Sequence, residues 1–242
     1  KTFPSTIQIT GNTMDFDFSD DQEQLRDAVR KYVDKGYTFE RRRSIEKAGG
    51  FDRAAYGELA DLGLTGLCIS EQYDGMGMGP VECLVVLGEL GRSLVLEPLS
   101  QAFICGPVLE NFAPEPVKKQ WLPQIASGKA IVVLAQQERK ARYRIKVCDA
   151  QAVAVGTGYT VTGSKNLVPI GDQADAYLVP AMLDGQMALF LVERGATGVS
   201  SRSHGCQDGS RAADLTLQAA PAQLVTANGL LALELAVDIG IT

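Results

Sequence analysis

The sequence predicts an α+β protein: an N-terminal all-α helical domain over residues 14–129, a mainly antiparallel β-barrel or sandwich domain over 130–225, and the first turns of a C-terminal helical domain over 226–242. Three observations carry this expectation. Apolar residues recur at helical spacing as far as Ser127, and from Ile131 onward they come in short β-branched or alternating runs bounded by Gly and Asp. Between two such runs, Asp184-Gly185 accepts the positive φ angles of a type I′ hairpin turn. Residues 1–13 are polar and aperiodic, and read as an extension or tag ahead of a natural start at Met14.

In chain order, Leu25, Ala28, Val29, Tyr32 and Val33 line one face of a first helix. Ser19 and Gln22 form a capping-box pattern, and Asp20, Asp21 and Glu23 suit the positive end of its dipole. Arg41-Arg42-Arg43 beside Glu40 and Glu46 reads as a solvated helix surface. A second helix runs from an Asp52 cap through Tyr56, Leu59 and Leu62 to a stop at Gly63. Pro80 suits a first helical position, and Leu84, Leu87 and Leu90 extend an apolar stripe to Gly91, giving a helix over 80–90. Two more helices follow over 99–111 and 116–127, the latter with Val117 and Trp121 one turn apart. Strands are expected over 131–134, 159–162, 176–182 and 187–192, and Leu230, Leu231, Leu233, Leu235 and Val237 open a last helix. The stretch from Val161 to Asp175 reads as strand, tight turn, strand and polar loop.

Composition narrows the chemistry. No apolar run reaches the roughly 18 residues of a membrane span, and 29 acidic against 23 basic residues, net charge -6, disfavour nucleic acid or anionic lipid as partners. A polyanionic ligand therefore needs a local basic site. Arg139, Lys140, Arg142, Arg144 and Lys146 supply one, and Arg142 and Arg144 are candidate substrate-binding residues because guanidinium forks pair with phosphate or carboxylate; a solvated loop is the alternative. Five scattered cysteines without a C-x-x-C pair fit a reducing cytosol, with Cys68, Cys83 and Cys105 read as small buried hydrophobes. His204, the sole histidine, lies in an expected Ser203-His204-Gly205 loop, and no G-x-S-x-G elbow occurs, which argues against nucleophilic hydrolysis and against a zinc set. Gly75, Gly77 and Gly79 before a helix suggest a phosphate loop, but the G-x-G-x-x-G spacing would put its last glycine at Pro80, so a glycine-rich connection competes with it.

Longer motifs go further. Gly163, Lys165, Gly171, Ala174 and Asp175 match without a gap a run written roughly L-N-G-x-K-x-W-I-T-N-G-x-x-A-D. Residues 61–79 are similar to L-G-x-x-G-L-x-x-P-E-x-Y-G-G-x-G, with Ser70 for proline and Asp74 for one glycine, and 121–128 to Y-L-P-x-I-A-S-G. With the hairpin strand 189–193 and Asp214-Leu215, these segments stand in the order of the acyl-CoA dehydrogenase family, which the chain resembles over most of 16–242.

The resemblance implies FAD as cofactor, with the W-I-T portion against the isoalloxazine; its counterparts here are Leu167, Val168 and Pro169. The family's T-E-P segment corresponds to Gln137, Glu138 and Arg139, preceded by Gln136, so the implied cofactor-binding set is Gln136, Gln137, Leu167, Val168 and Pro169. The Gln137 amide can still donate and accept, whereas Pro169 cannot replace a threonine hydroxyl. The family's carboxylate base comes from a C-terminal helical domain of which this sequence carries only the opening, so no catalytic residue is nominated. The implied function is FAD-dependent α,β-dehydrogenation of an acyl-CoA thioester in the cytoplasm, with Arg142 and Arg144 meeting a phosphate of CoA or FAD or a distal substrate carboxylate. The implied assembly is a homo- or hetero-oligomer with another acyl-CoA dehydrogenase subunit, the altered signature resembling the small subunits of hetero-oligomeric members that act on dicarboxylic or steroid acyl chains. An electron-transfer flavoprotein or similar acceptor would take the electrons. Two alternatives are a non-catalytic scaffold subunit and a flavin-dependent oxidase of a small molecule.

Overall fold

The computed structural model describes residues 17–142 and 144–241; the expected extension over 1–13 and the start at Met14 lie outside them. Six helices come first: α1 (Asp20–Gly36), α2 (Phe39–Lys47), α3 (Arg53–Asp61), α4 (Pro80–Arg92), α5 (Leu99–Phe112) and α6 (Glu115–Ala126). The Ser19 hydroxyl accepts from Gln22 N at 3.3 Å while Ser19 N donates to Gln22 Oε1 at 3.0 Å, closing the capping box. Asp52 caps α3 through Ala54 N at 2.9 Å, and Gly63 takes the left-handed conformation, φ 78°, just past its end.

Two readings of helix faces change. On α4 the buried residues are Cys83, Val85, Val86, Glu89 and Leu90, while Leu84 of the expected stripe is exposed. The face is set by packing on α1, where Arg30 of α1 forks onto Glu89 at 2.6 and 3.1 Å, so a carboxylate takes a buried place that hydropathy assigned to leucine. The basic run of α2 is not simply solvated: Arg41 forks onto Glu58 of α3 at 2.7 and 2.8 Å, and Arg42 donates to the carbonyls of Leu94, 3.0 Å, and Asp208, 2.5 Å. Among the cysteines expected to be buried, Cys83 and Cys105 are, and Cys68 is half-buried.

The strands are β1 (Val132–Leu134), β2 (Gln151–Val155), β3 (Gly158–Pro169), β4 (Ala176–Leu183), β5 (Gln186–Glu193), β6 (Val199–Gly205) and β7 (Arg211–Thr226). The pairings β4–β2, β2–β3, β3–β7, β7–β5 and β5–β4 close a ring, with β1 parallel on β4 and β6 antiparallel on β7. The β4–β5 turn has Asp184 at φ 50° and Gly185 at φ 81°, the type I′ geometry. Strands β4 and β5 are buried on both faces, which explains their nearly continuous apolar sequence. Tyr177, Val179, Phe190 and Val192 fill the interior of the ring, and Leu178, Leu189 and Leu191 join the core of the helices. Helix α7 (Gly229–Ile241) packs on α5 and β5.

The expected strand-turn-strand after Val161 is one strand. Chain β3 runs through to Pro169 and absorbs the irregularities as register shifts against β7, between Val161 and Gly163 and between Lys165 and Val168. Glycine is needed at the first of these, because a Cβ on Gly163 would come within 2.6 Å of Ala150 Cβ. At the second, Leu167 adopts φ 52°, a left-handed conformation uncommon for leucine.

A clamp holds the strand-rich half to the turn between α2 and α3. Arg211 donates to the Asp172 carboxylate, at 2.5 to 2.9 Å, to Ser203 Oγ at 3.0 Å and to the carbonyl of Gly49 at 3.2 Å. Burial pushes the Asp172 carboxyl up, but Arg211 and Gln173 outweigh it and hold it below the usual range. Lysine cannot reproduce the fork, so Arg211→Lys is expected to lower the unfolding free energy by about 2 kcal/mol in urea titration. A loss below about 0.5 kcal/mol would show that the clamp does not contribute.

Candidate functional site

The bulge in β3 builds the floor of a cleft. Asn166 N donates to the carbonyl of Gln137 at 2.8 Å, tying the loop after β1 to the bulge, and Leu167 N donates to Asp214 Oδ1 of β7 at 3.3 Å. Asp214 also accepts from Arg202 of β6 at 3.3 Å. The Asn166 side chain, the Leu167 N–H and Arg202 together hold the Asp214 carboxyl below the usual range against the opposing effect of burial. Leu167, 56 % exposed, is left with its apolar side chain facing a cavity of about 860 Å³ that it shares with Gln137, Arg139, Arg142, Arg202 and His204. A second cavity of about 610 Å³ adjoins it, with Glu138, Arg139, Asn166, Arg202 and Asp214 common to both. These volumes suit a cofactor or a large metabolite.

Glu138 itself is committed inside the fold. Its Oε1 accepts from Lys165 Nζ at 2.6 Å, and its carboxylate also takes Asp149 N at 2.6 Å and Ala150 N at 3.2 Å. Lys165 is completely buried and donates in addition to the carbonyl of Pro180 at 2.7 Å. Burial raises the Glu138 carboxyl, but Lys165 and the two N–H groups outweigh that and hold it low. The pair sits one residue from Gln137 on one side and Asn166 on the other, so it fixes the cleft wall without entering the cleft chemistry.

Of the residues singled out by sequence, the structure brings Gln137, Leu167 and Arg142 together at the large cavity. Gln136 and Arg144 line a crevice of only 10 Å³, which Gln137 and Arg142 also border, together with Cys148 and Leu233. Val168 is buried in the ring interior. Pro169 lines a separate cleft of about 330 Å³ against the α4–α5 connection, with Leu96, Glu97 and Arg211. The Arg144 guanidinium turns back on its own loop, donating to the carbonyls of Lys140 at 3.0 Å and Ala141 at 3.5 Å.

Sequence reasoning missed Asn166, Arg202 and Asp214, and placed His204 in a loop when it lies on β6. Asp214 carries a signal only as part of the Asp214-Leu215 segment, and Arg202 carries none for its role, since it meets Asp214 through the β6–β7 register. The Gly75–Gly79 segment is a connection and not a phosphate cradle: the N–H groups of Gly75, Met76, Gly77 and Met78 are taken by the carbonyls of Ser70, Gly66, Ile69 and Leu67 at 2.8 to 3.1 Å. Among the described residues no group of three or more His, Cys, Asp or Glu is arranged to hold a metal ion, and no helix is long and apolar enough to cross a membrane.

Residues 19–129 match the family model described as acyl-CoA dehydrogenase, N-terminal domain. The acyl-CoA dehydrogenase FadE27 of Mycobacterium tuberculosis is 32% identical over 189 residues, which are 77% of this chain and 49% of that protein. Among solved structures, the ChsE4-ChsE5 complex of Mycobacterium tuberculosis contains a chain with TM-score 0.81 and 28% identity, over 93% of this chain and 61% of that one. A variant of the Tcur3481-Tcur3483 steroid ACAD gives TM-score 0.83 and 26% identity, over 90% of this chain and 61% of that one. The chain spans about half the length of the curated relatives it matches.

Proposed function

Because the chain belongs to the acyl-CoA dehydrogenase family, we propose that it serves FAD-dependent α,β-dehydrogenation of an acyl-CoA thioester as one subunit of an oligomer. The observation that carries this reading is the bulge at Lys165–Val168, which sets Leu167 on the floor of a cofactor-sized cavity beside the Gln137 amide. An exposed leucine in a left-handed conformation stores backbone strain of about 1–3 kcal/mol, which the Asn166 and Asp214 hydrogen bonds offset; strain maintained in this way clusters at ligand-binding sites.

The residues present fit a flavin. Leu167 offers an apolar surface for a planar ring, and the Gln137 side chain carries both a donor and an acceptor for ring carbonyl and N–H groups. A flavin held there would supply the hydride-accepting chemistry that α,β-dehydrogenation of the thioester needs. The contribution of this chain is binding and orientation: Leu167 would exclude water from the ring, the Gln137 amide would hydrogen-bond its polar atoms, and Asp214 fixes the bulge that carries Leu167. The carboxylates Glu138 and Asp214 are already engaged by Lys165 and Arg202, so neither is free to take the α-proton, and that base is assigned outside these residues.

The names of two structural neighbours, the ChsE4-ChsE5 complex and the Tcur3481-Tcur3483 steroid ACAD, support a hetero-oligomer and a bulky acyl chain for this protein as well. An electron-transfer flavoprotein is the proposed acceptor, and the cytoplasm the proposed location. A scaffold role without flavin is the second reading; it is favoured by Pro169, which has no hydroxyl and lines the other cleft.

Leu167→Asp tests the proposal. The site is exposed, so stability should change by no more than about 0.5 kcal/mol, while flavin affinity should fall at least about tenfold because a carboxylate meets the ring. Bleaching of the bound flavin by acyl-CoA thioesters, read on the chain with its partner subunit, is the accompanying assay. Undiminished flavin affinity in the variant would remove this surface as the flavin site, and flavin carried wholly by the partner would favour the scaffold.

A further inference from the structure

A second group of polar side chains lies apart from the Leu167 cavity, in the cleft of about 330 Å³ between the α4–α5 connection and the end of β3. Val95, Leu96, Pro98, Pro169 and Ile170 make its walls largely apolar. Glu97 lines it as well, although that residue is only 5 % exposed. Its Oε1 accepts from Asp52 N at 3.3 Å, while Oε2 is buried without a hydrogen-bond partner among the described residues. An acceptor left in this state has lost its hydration without replacement, an exception in native proteins that calls for a reason. Burial raises the Glu97 carboxyl above its ordinary range, against the lowering by the Tyr37 hydroxyl and the Asp52 N–H. Four positions on, Gln101 of α5 spends its carbonyl oxygen on Leu134 N of β1 at 3.0 Å, which leaves its amide N–H groups to donate. The cleft thus offers an acceptor and a donor beside apolar walls.

The charged groups of the cleft are otherwise committed. Arg211 forks onto Asp172, and the Asp208 carboxylate accepts from Ser210 N at 2.9 Å and Ser210 Oγ at 2.7 Å. A cationic ligand meets Arg211 there, an anionic one meets Asp208 and Glu97, and a purely apolar one leaves Glu97 unsatisfied. A neutral hydroxyl avoids all three penalties, because it can accept from the Gln101 amide and donate to the Glu97 carboxyl. We propose that Glu97 and Gln101 are specificity-determining residues that select an acyl group bearing a hydroxyl, whose hydroxylated end the α4–α5 cleft takes. The inference rests on the acyl-CoA reading above and adds the substrate class to it. Discrimination comes chiefly from the analogue without the hydroxyl, which would seal the two polar groups from water and pair neither.

Two measurements test this. In the first, the purified chain, isotopically labelled at its glutamate carboxyl carbons, is titrated with cyclohexanol, methylcyclohexane and cyclohexanone and followed by NMR, with Glu97→Leu identifying the Glu97 resonance. Cyclohexanol should shift that resonance saturably and methylcyclohexane should not. In the second, the chain with its partner subunit is mixed with ω-hydroxyacyl-CoA thioesters and with the methyl-ended thioesters of equal length, and flavin bleaching is read at subsaturating thioester. At one chain length or more the hydroxyl form should be preferred at least about tenfold, and Glu97→Leu or Gln101→Leu should bring that preference below about threefold. A Glu97 resonance that ignores cyclohexanol, or responds equally to methylcyclohexane, overturns the proposal. Tighter binding of cyclohexanone does the same, because it would make both groups donors. Equal bleaching by hydroxyl-ended and methyl-ended thioesters at every length also overturns it and leaves the dehydrogenase reading intact. Selective cyclohexanol binding without bleaching by any thioester would retain the hydroxyl site and remove the dehydrogenase reading.

Discussion

Replacing Lys165 with methionine, or Glu138 with alanine, is expected to lower the unfolding free energy by about 3–5 kcal/mol, the cost of leaving one member of a buried ion pair without the other. The geometry makes the estimate specific. Lys165 is fully buried and donates to the Glu138 carboxylate at 2.6 Å, the Pro180 carbonyl at 2.7 Å and Cys148 Sγ at 3.7 Å, so the alanine variant leaves an ammonium facing one carbonyl oxygen and one sulfur, both neutral. The methionine variant leaves a carboxylate that keeps the N–H groups of Asp149 and Ala150, and belongs at the lower end of the range. Lys165→Met combined with Glu138→Gln should recover part of the loss, giving a coupling of at least about 1.5 kcal/mol in a double-mutant cycle. The pair also sets a pH dependence. The folded carboxyl lies below its ordinary value, so its stabilisation is present in full above about pH 4.3, the unfolded value, and is lost as pH falls through the folded value. Urea titrations across the acid range should show that limb in the native chain and a flatter one in Lys165→Met. A loss under about 1 kcal/mol for either single variant would mean that the pair is solvated and not buried.

Gly75→Ala should cost about 3–5 kcal/mol, because an added methyl group falls directly on the carbonyl of Ile69. That carbonyl is backbone, and it already accepts from Gly77 N at 2.8 Å, so it has no rotamer by which to yield. Relief requires shifting the segment and with it the bonds of Met76 N to Gly66, 2.9 Å, and Met78 N to Leu67, 2.8 Å, each worth about 1 kcal/mol. Gly77→Ala is the contrast: no atom lies within 4 Å of its added Cβ, and only its φ of 63° resists the change, which limits the cost to about 1–2 kcal/mol. Chemical denaturation of the two variants separates close packing from conformational preference. Equal losses would show that the glycines serve turn geometry alone.

Parts of the site were readable in the sequence and parts were not. The frame from Gly163 to Asp175 pointed to the strand that forms the cleft floor, and the basic run pointed to the loop that forms its rim. The alternation rule that would have put Leu167 and Pro169 on one face fails because Leu167 is itself an unpaired residue of the bulge between Lys165 and Val168 while Pro169 is paired with Ala212, and the two side chains line different clefts. Arg142 and Arg144 looked equivalent at i and i+2, yet one lines the cavity and the other bonds to its own loop. The same limit showed in the helices. Periodicity located α4 and put Leu87 and Leu90 on the core side, but it missed that Leu84 is exposed and that Glu89 is buried against Arg30 from a helix far earlier in the chain.

By itself the sequence determined what depends on near neighbours: the capping box at Ser19, the stop at Gly63, the hairpin at Asp184-Gly185 and the change of period that divides helices from strands. These follow from backbone conformations and hydrogen bonds within a few residues. Tertiary structure alone decided which charges are spent and which are free. Lys165 finds Glu138 across 27 positions and Arg202 meets Asp214 through a strand register, and among the described residues those pairings leave Arg139 and Arg142 without an ion pair at the cavity that Leu167 also lines. The sign of a charge is written in the residue, but its availability depends on partners that the chain brings together only by folding.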